Sequence, residues 1–358
     1  MALLRQEAES PRSASEGSSL GVSIAILQDE SSLILLGGLS FFSSRYGFVC
    51  DNVVNYEVVL ASGQLVHVNA ISYPDLFKAL KGGSNNFGII TRFDVKVFSQ
   101  GPIWGGFLGT RIEDREKVFA SFEKISRSSE YDPFAAFIIS FTWRPNMGWI
   151  GASTLTYTKA EEHPPIFAEL ESLPTTFSTM RVASLTSFTR ELDATTPAGH
   201  RETFVTMTFR NSAIIFSKFF DLCDDVVGSF PPDEEFMFSV SYQPLPQTII
   251  SKGAGTNSLG LTEADGDLVN VLVGIKWQDA DNDAAVEAIV KDLFEKGATV
   301  ASGLNLYHEY KYLNYSAGWQ DPISGYGAAT KNTLRAVSKK YDPRGLFQRQ
   351  VPGGFKLF

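Results

Sequence analysis

Cysteine is nearly absent from this 358-residue chain. Cys50 and Cys223 are the only two, too few for a disulfide framework and at no metal-ligand spacing. The four histidines, His67, His163, His200 and His308, are scattered, which gives no support to a metal site or a Cys/His nucleophile pair. No run reaches the roughly 18–20 apolar residues of a membrane-spanning helix. A lysine/arginine stripe is also missing. With 31 basic against 40 acidic residues the net charge is -9, so a nucleic-acid surface is not expected. Neither a Walker pattern nor G-x-G-x-x-G occurs, which removes the usual ATP and nicotinamide fingerprints. The opening MALLRQEAESPRSASEGSS has no apolar h-region. It reads as an unstructured lead-in without an export signal, so the chain as written reads as cytoplasmic.

Aromatic residues, by contrast, are plentiful: 28 Phe and 12 Tyr, most of them expected to fill a core. After a short possible strand at 20–27, an apolar run at 33–36 reads as a strand that meets the Gly37-Gly38 turn. NYEVVLASGQLVHVNA then predicts a hairpin turning at Ala61-Ser62-Gly63. YPDLFKALKGG predicts a helix with Pro74 in its first turn and Gly82-Gly83 as its stop. GIITRFDVKVF alternates as a strand does. Farther on, the spacing predicts a helix capped by Asp114 with Val118, Phe119, Phe122 and Ile125 inward. A hairpin across 134–158 and strands at 202–209, 235–242 and 268–277 follow. Helices are expected at 211–227, 282–296 and about 328–340. Together these describe an antiparallel sheet backed by helices, an α+β chain.

Two clusters carry candidate chemistry. KGGSNNFGIIT is a glycine loop with free backbone N–H groups, able to meet a phosphate or a heteroaromatic edge, and equally able to be a structural turn. In YKYLNY, alternation would put Tyr310, Tyr312 and Asn314 on one side of an extended segment. There a tyrosine can move a proton and an asparagine can hold a polar ligand; packed core aromatics are the other reading. Asp51-Asn52 reads as an Asx turn, Cys50 as a small buried residue, and Trp104, Trp143 and Trp277 as pocket lining or core.

Three segments, GGLSFFSSRYGFVCDNVVNYEVVLASG, YPDLFKALKGGSNNFGIITRFDVKVF and YLNY…QDPI…YG…KKYDPRGLFQ…VPGGFKL, occur in one order. In that order they resemble the FAD-linked oxidases of the vanillyl-alcohol oxidase and berberine-bridge-enzyme type (the PCMH-type FAD-binding family), in their fungal form. The resemblance implies that 33–100 is the second subdomain of a PCMH-type FAD-binding domain. It implies an antiparallel-sheet substrate domain over 101–305 and a segment over 306–358 that returns to the FAD domain, with 1–32 an atypical lead-in. Carried over by position, Gly37, Gly38, Leu39 and Ser40 would lie along the flavin, and Asp51 and Asn52 would support the same subdomain. Gly83, Asn86, Gly88, Ile89 and Ile90 would offer cofactor contacts. Asn314 would face the flavin, and Tyr312 would be the proton-transfer residue.

The implied reaction is oxidation of a small organic substrate in secondary metabolism, by hydride transfer to FAD with reoxidation by O2. The family's upstream subdomain and its R-x-G-G-H attachment histidine are not found, so an N-terminally truncated oxidase with no covalent flavin link and weak FAD binding is expected. A flavin-free protein that binds or cyclises a pathway intermediate, or an inactive remnant, are the other readings. Many family members are secreted. Substrate identity and oligomeric state are not legible.

Overall fold

A computed structural model describes residues 35–194 and 199–358, so the lead-in over 1–32 and the strand at 20–27 lie outside the described residues. Three antiparallel strands, β1 (Val53–Val59), β2 (Leu65–Asn69) and β3 (Ile89–Val95), form a sheet in the order β2-β1-β3. Val58 lies opposite Val66 on one side and Ile90 on the other, and all three are buried. Alternation puts these branched side chains on one face, where the helix Pro74–Leu80 delivers Leu76, Ala79 and Leu80. Gly88 enters β3 where a Cβ would stand 2.5 Å from a Val58 methyl and 2.9 Å from the Val59 carbonyl oxygen. The backbone can approach β1 this closely only without a side chain. Leu35 and Leu36, expected as the end of a strand, do not lie in one.

The second sheet has nine strands. They are β4 (Ile103–Thr110), β5 (Ala135–Arg144), β6 (Gly148–Tyr157), β7 (Thr175–Ser178), β8 (Arg181–Ala183), β9 (Arg201–Arg210), β10 (Met237–Leu245), β11 (Leu268–Trp277) and β12 (Tyr307–His308). They run antiparallel in the order β12-β9-β11-β10-β5-β6-β4-β7, with β8 also on β4. The helices Arg115–Ile125, Ala213–Val227 and Asp283–Gly303 pack on one face. Their 3.6-residue spacing turns Phe119, Phe122, Phe216, Phe219 and Leu293 onto Phe141, Tyr242, Val271 and Val273 of the strands. Most of the aromatic excess goes here.

The other face of this sheet is only partly covered. Burial alternates strictly along β5 and β10, leaving Ser140, Thr142, Ser239, Ser241 and Gln243 half-exposed on the side away from the helices. An antiparallel sheet with one dry and one polar face is the ordinary outcome of such alternation. Here the middle of the polar face along β5 and β10 is lined by the small hydroxyls of Ser140, Thr142, Ser239 and Ser241.

The hydrophobic core therefore divides in two. One cluster lies between the large sheet and its helices; the other gathers β1–β3 with Tyr310, Tyr312, Tyr326, Leu334 and Leu357. Leu245, Ile249, Ile250 and Leu259 also belong to the second cluster, so the stretch after β10 crosses from one core to the other. Asp114 does precede its helix, but its carboxylate pairs with Lys117 at 2.6 Å and makes no cap hydrogen bond. The helix expected to end at 296 runs to Gly303. β7, β8 and the helix Gln247–Gly253 were not anticipated.

Phe119 is fully buried, with Phe141 and Tyr242 rings both 5.3 Å from its own. Phe119→Ala should cost about 3–5 kcal/mol in urea unfolding. Ile71→Ala, at a 92% exposed position, should change stability by less than about 0.5 kcal/mol.

Candidate flavin and substrate site

Gly37 and Gly38 take φ of 110° and 80°, backbone that side chains disfavour. Their carbonyls accept from the Cys50 and Val49 N–H groups, each at 2.8 Å, which closes the turn on the short 3₁₀ helix Val49–Asn52. The next donor, the buried Leu39 N–H, goes to the hydroxyl of Tyr312 at 2.7 Å, 273 residues away in sequence. The second glycine turn is tied to the same region, because the Gly82 carbonyl accepts from the Tyr326 hydroxyl at 3.2 Å.

Between the two turns sits Leu259. A Cβ on Gly37 would lie 3.1 Å from a Leu259 methyl and one on Gly82 only 2.6 Å from it. Ser258 N–H donates to the Lys81 carbonyl, and the Asn257 amide donates to Asp51 at 2.8 Å. Residues 257–259 thus clamp both glycine turns from the side.

A third glycine pair, Gly353-Gly354, docks on the second turn. A Cβ on Gly354 would stand 2.4 Å from the Asn85 amide oxygen. Asn86 is fully buried and spends its amide on the Gly83 and Phe355 carbonyls, at 2.8 and 2.9 Å, while Gln348 donates to its oxygen at 3.0 Å. Gly83 has no room for a side chain, since its Cβ would sit 2.2 Å from the Ala79 oxygen.

The remaining polar residues of the first segment are also engaged. Asp51 accepts from Phe48 N–H, and burial pushes its carboxyl up against these hydrogen bonds. Asn52 donates to the Tyr46 and Phe48 carbonyls. Ser40 accepts from Phe42 N–H and donates its own N–H to Ser43. Ile90 is core, whereas Ile89 is half-exposed. β3 is an edge strand among the described residues, so its outer backbone groups have no sheet partner there.

The YKYLNY segment departs from the expected extended form. Leu313–Tyr315 is a 3₁₀ turn, so simple alternation does not relate Asn314 to Tyr310 and Tyr312. The turn is set by tertiary partners: Tyr312 reaches Leu39, and the Tyr315 hydroxyl donates to Gln243 on β10 at 3.0 Å. Burial, then the neighbouring Tyr315, pushes the Tyr312 phenol well above the ordinary tyrosine range. It stays protonated, and its O–H has no protein acceptor among the described residues.

Several buried polar atoms on this segment and the sheet beside it have no partner among the described residues. Asn314 is 7% exposed, yet neither its amide nitrogen nor its oxygen is hydrogen-bonded. The Tyr310 hydroxyl and the amide nitrogen of fully buried Asn270 are likewise unsatisfied. Each such group costs about 1–3 kcal/mol unless something completes it. Asn270 lies opposite Gln243 and Thr208 on the polar face of the large sheet, and Tyr315 bonds to that Gln243. The orphans of the glycine side and of the sheet side are therefore linked through Tyr315. His308 stands apart from them, with its ring on Asp265 at 3.1 Å. Trp104 and Trp277 are core.

Gln243, Asn270 and Leu259 escape a reading by motif. The signal for the first two was present: a lone amide in each of two strands built, Lys276 aside, of apolar or hydroxyl residues. A separate cavity of about 360 Å³, lined by Ser62, Tyr341, Arg344 and Arg349, shares no residue with this site.

No protein-family model matches the chain. Curated relatives do. It is 36% identical over 337 residues to the FAD-dependent monooxygenase CTB5 of Cercospora nicotianae, covering 89% of this chain and 72% of that one. The Cercospora beticola protein of the same name is also 36% identical, and the chain spans 63% of its length. The FAD-dependent monooxygenase elcE of Phaeosphaeria nodorum is 35% identical, with 89% of this chain and 97% of the relative covered. The chain belongs to the fungal FAD-dependent monooxygenase family.

Its fold is that of the FAD-linked oxidases. 6-Hydroxy-D-nicotine oxidase from Arthrobacter nicotinovorans superposes with a TM-score of 0.72 at 15% identity, over 88% of this chain and 69% of that one. The Physcomitrella patens BBE-like 1 protein gives 0.71 at 17% identity, over 90% and 70%. This is the mixed helix and antiparallel-sheet fold expected from the three motif segments.

Tyr312→Phe removes the acceptor of a buried N–H and nothing else of bulk. Chemical denaturation should show a loss of about 1–3 kcal/mol. A loss under about 0.3 kcal/mol would mean that the Leu39–Tyr312 bond does not hold the turn.

Proposed function

We propose that the chain is the flavin- and substrate-binding part of an FAD-dependent oxidoreductase acting on a small organic substrate of secondary metabolism, with O2 as acceptor. The observation that carries this is Asn314: a buried amide with donor and acceptor both open among the described residues, two residues from the Tyr312 that holds the first glycine turn. A cofactor with alternating donors and acceptors along its ring edge and side chain fits such a group. When bound, FAD supplies hydride acceptance from the substrate and reoxidation by O2.

The chain's own residues then divide the work. Gly37, Gly38, Leu39 and Ser40 give a side-chain-free edge along the flavin, and Asp51 and Asn52 hold that edge in place. Gly83 and Asn86 fix the second turn, leaving Gly88, Ile89 and Ile90 to offer backbone along the open edge of β3. Asn314 hydrogen-bonds the cofactor. Tyr312, kept protonated by burial, donates a proton or hydrogen bond at its hydroxyl while positioning the Leu39 amide. The polar face of the large sheet, with Asn270 and Gln243, roofs the substrate and holds it in place. On this reading 33–100 and 306–358 share the cofactor-side core and 101–305 forms the substrate side, with the stretch after β10 crossing between them.

Titration of FAD, followed by quenching of flavin fluorescence, separates this reading from a flavin-free one. Saturable binding near tens of micromolar is expected, on the order of 6 kcal/mol. Asn314→Leu should weaken it roughly tenfold or more while leaving the flavin-free protein as stable or more so, because a buried unsatisfied amide is removed. Absence of saturable binding, or equal binding by the variant, would contradict the proposal.

A further inference from the structure

The polar face of the large sheet is not uniform along its length. At the row of Asn270 it carries neutral amides and a hydroxyl, Gln243 and Thr208 being its neighbours. One row on are Thr206, Leu272, Ser241 and Ser140, the two serine hydroxyls meeting at 2.7 Å, and the next row holds Phe204, Gly274, Ser239 and Thr142. The row of Lys276 is different. There Glu202 lies on one side and Met237 on the other, and Arg144 donates to the Met237 sulfur at 3.4 Å. Two cations thus share one end of the face with a single carboxylate.

Lys276 is 5% exposed, in the middle strand of a sheet, which is unusual for a lysine without a close partner. Its nearest carboxylate, Glu202, is 3.7 Å away, beyond hydrogen-bonding distance, and is itself substantially exposed. Arg144 has no carboxylate within ion-pair distance among the described residues. The stem is packed in the sheet and Glu202 stands at ion-pair but not hydrogen-bond distance, so the ammonium keeps donors that a further anion can take. Six residues of extended strand separate Lys276 from Asn270, about 20 Å.

We infer that the cationic row is a specificity site for a carboxylate at the far end of an elongated substrate. Its other end lies at the Asn270 row, with the serine and threonine hydroxyls between. This rests on the proposal that the sheet face is the substrate roof. It adds the charge and the length of the molecule that the face accepts. Lys276 makes the charged contact, and Arg144 at the exposed edge adds to the field that draws the anion in.

The test uses the whole 358-residue chain and two probes of the same shape matched to the ~20 Å span, 16-hydroxyhexadecanoate and 16-hydroxyhexadecanamide, compared by calorimetry. The wild type should bind the carboxylate at least tenfold more tightly than the carboxamide. The preference should fall below about threefold in Lys276→Met and persist in Lys276→Arg, with the carboxamide bound equally by all three. Ser241→Trp or Ser140→Trp, which fill the middle of the face, should remove binding of both probes. An equal affinity for the two probes in the wild type, or a preference that survives Lys276→Met, overturns the inference. If the tryptophan variants bind both probes normally, the sheet-face reading itself fails. If they lose both while Lys276→Met keeps the preference, only the role of the cationic row fails.

Discussion

The hydrogen bond from Leu39 N–H to the Tyr312 hydroxyl joins the two ends of the sequence, and the site depends on what it enforces. The turn at Gly37-Gly38 is left-handed backbone with no side chains to anchor it, so its position must be set from outside. Tyr312 does so from the C-terminal segment, Tyr326 does the same for the Gly82 turn, and Leu259 fills the space that a side chain at Gly37 or Gly82 would need. The result is a pair of bare backbone edges held by side chains contributed from three distant stretches. Rigid elements position such a constellation better than the loops that carry it could by themselves.

The same arrangement leaves polar groups unfinished. Most buried polar atoms in folded proteins have a partner, so a cluster of exceptions around Asn314, Tyr310 and Asn270 is informative. Apolar residues of similar size would be more stable at those positions in an empty protein. Their retention fits a surface meant to meet something polar. On the function proposed above, a flavin and an oxygenated substrate would bring the partners they lack. The hydroxyl-lined sheet face opposite the helices extends that surface toward Lys276.

Much of the fold was legible because it obeys local periods. The β1–β2 hairpin and β3 follow a two-residue alternation, and the helix beginning at Arg115 follows 3.6, with Val118, Phe119, Phe122 and Ile125 all buried. The family could be read from the order of three motif segments. What stayed hidden depends on tertiary contact. The Y-x-Y-x-N pattern alternates, yet Tyr312 is pulled to the Leu39 turn and Tyr315 to Gln243 of β10, and the backbone tightens to a 3₁₀ turn. Leu259 is an unremarked leucine in a stretch of Gly, Asn and Ser, and only its two glycine neighbours in space reveal its part. Asp114 stands at a cap position, but Lys117 takes its carboxylate first. Asn270 and Lys276 interrupt an apolar strand, and only the sheet register places them on the face away from the helices.

Hydrogen exchange followed by mass spectrometry, with and without saturating FAD, tests the central claim most directly. The cofactor should be held jointly by the two glycine turns and the Tyr312–Asn314 segment. Protection should therefore rise together in peptides covering 36–42, 81–90 and 310–316 and stay unchanged around 341–350, where the separate arginine-lined cavity lies. Protection confined to 341–350, or none in any of the three segments, would contradict it.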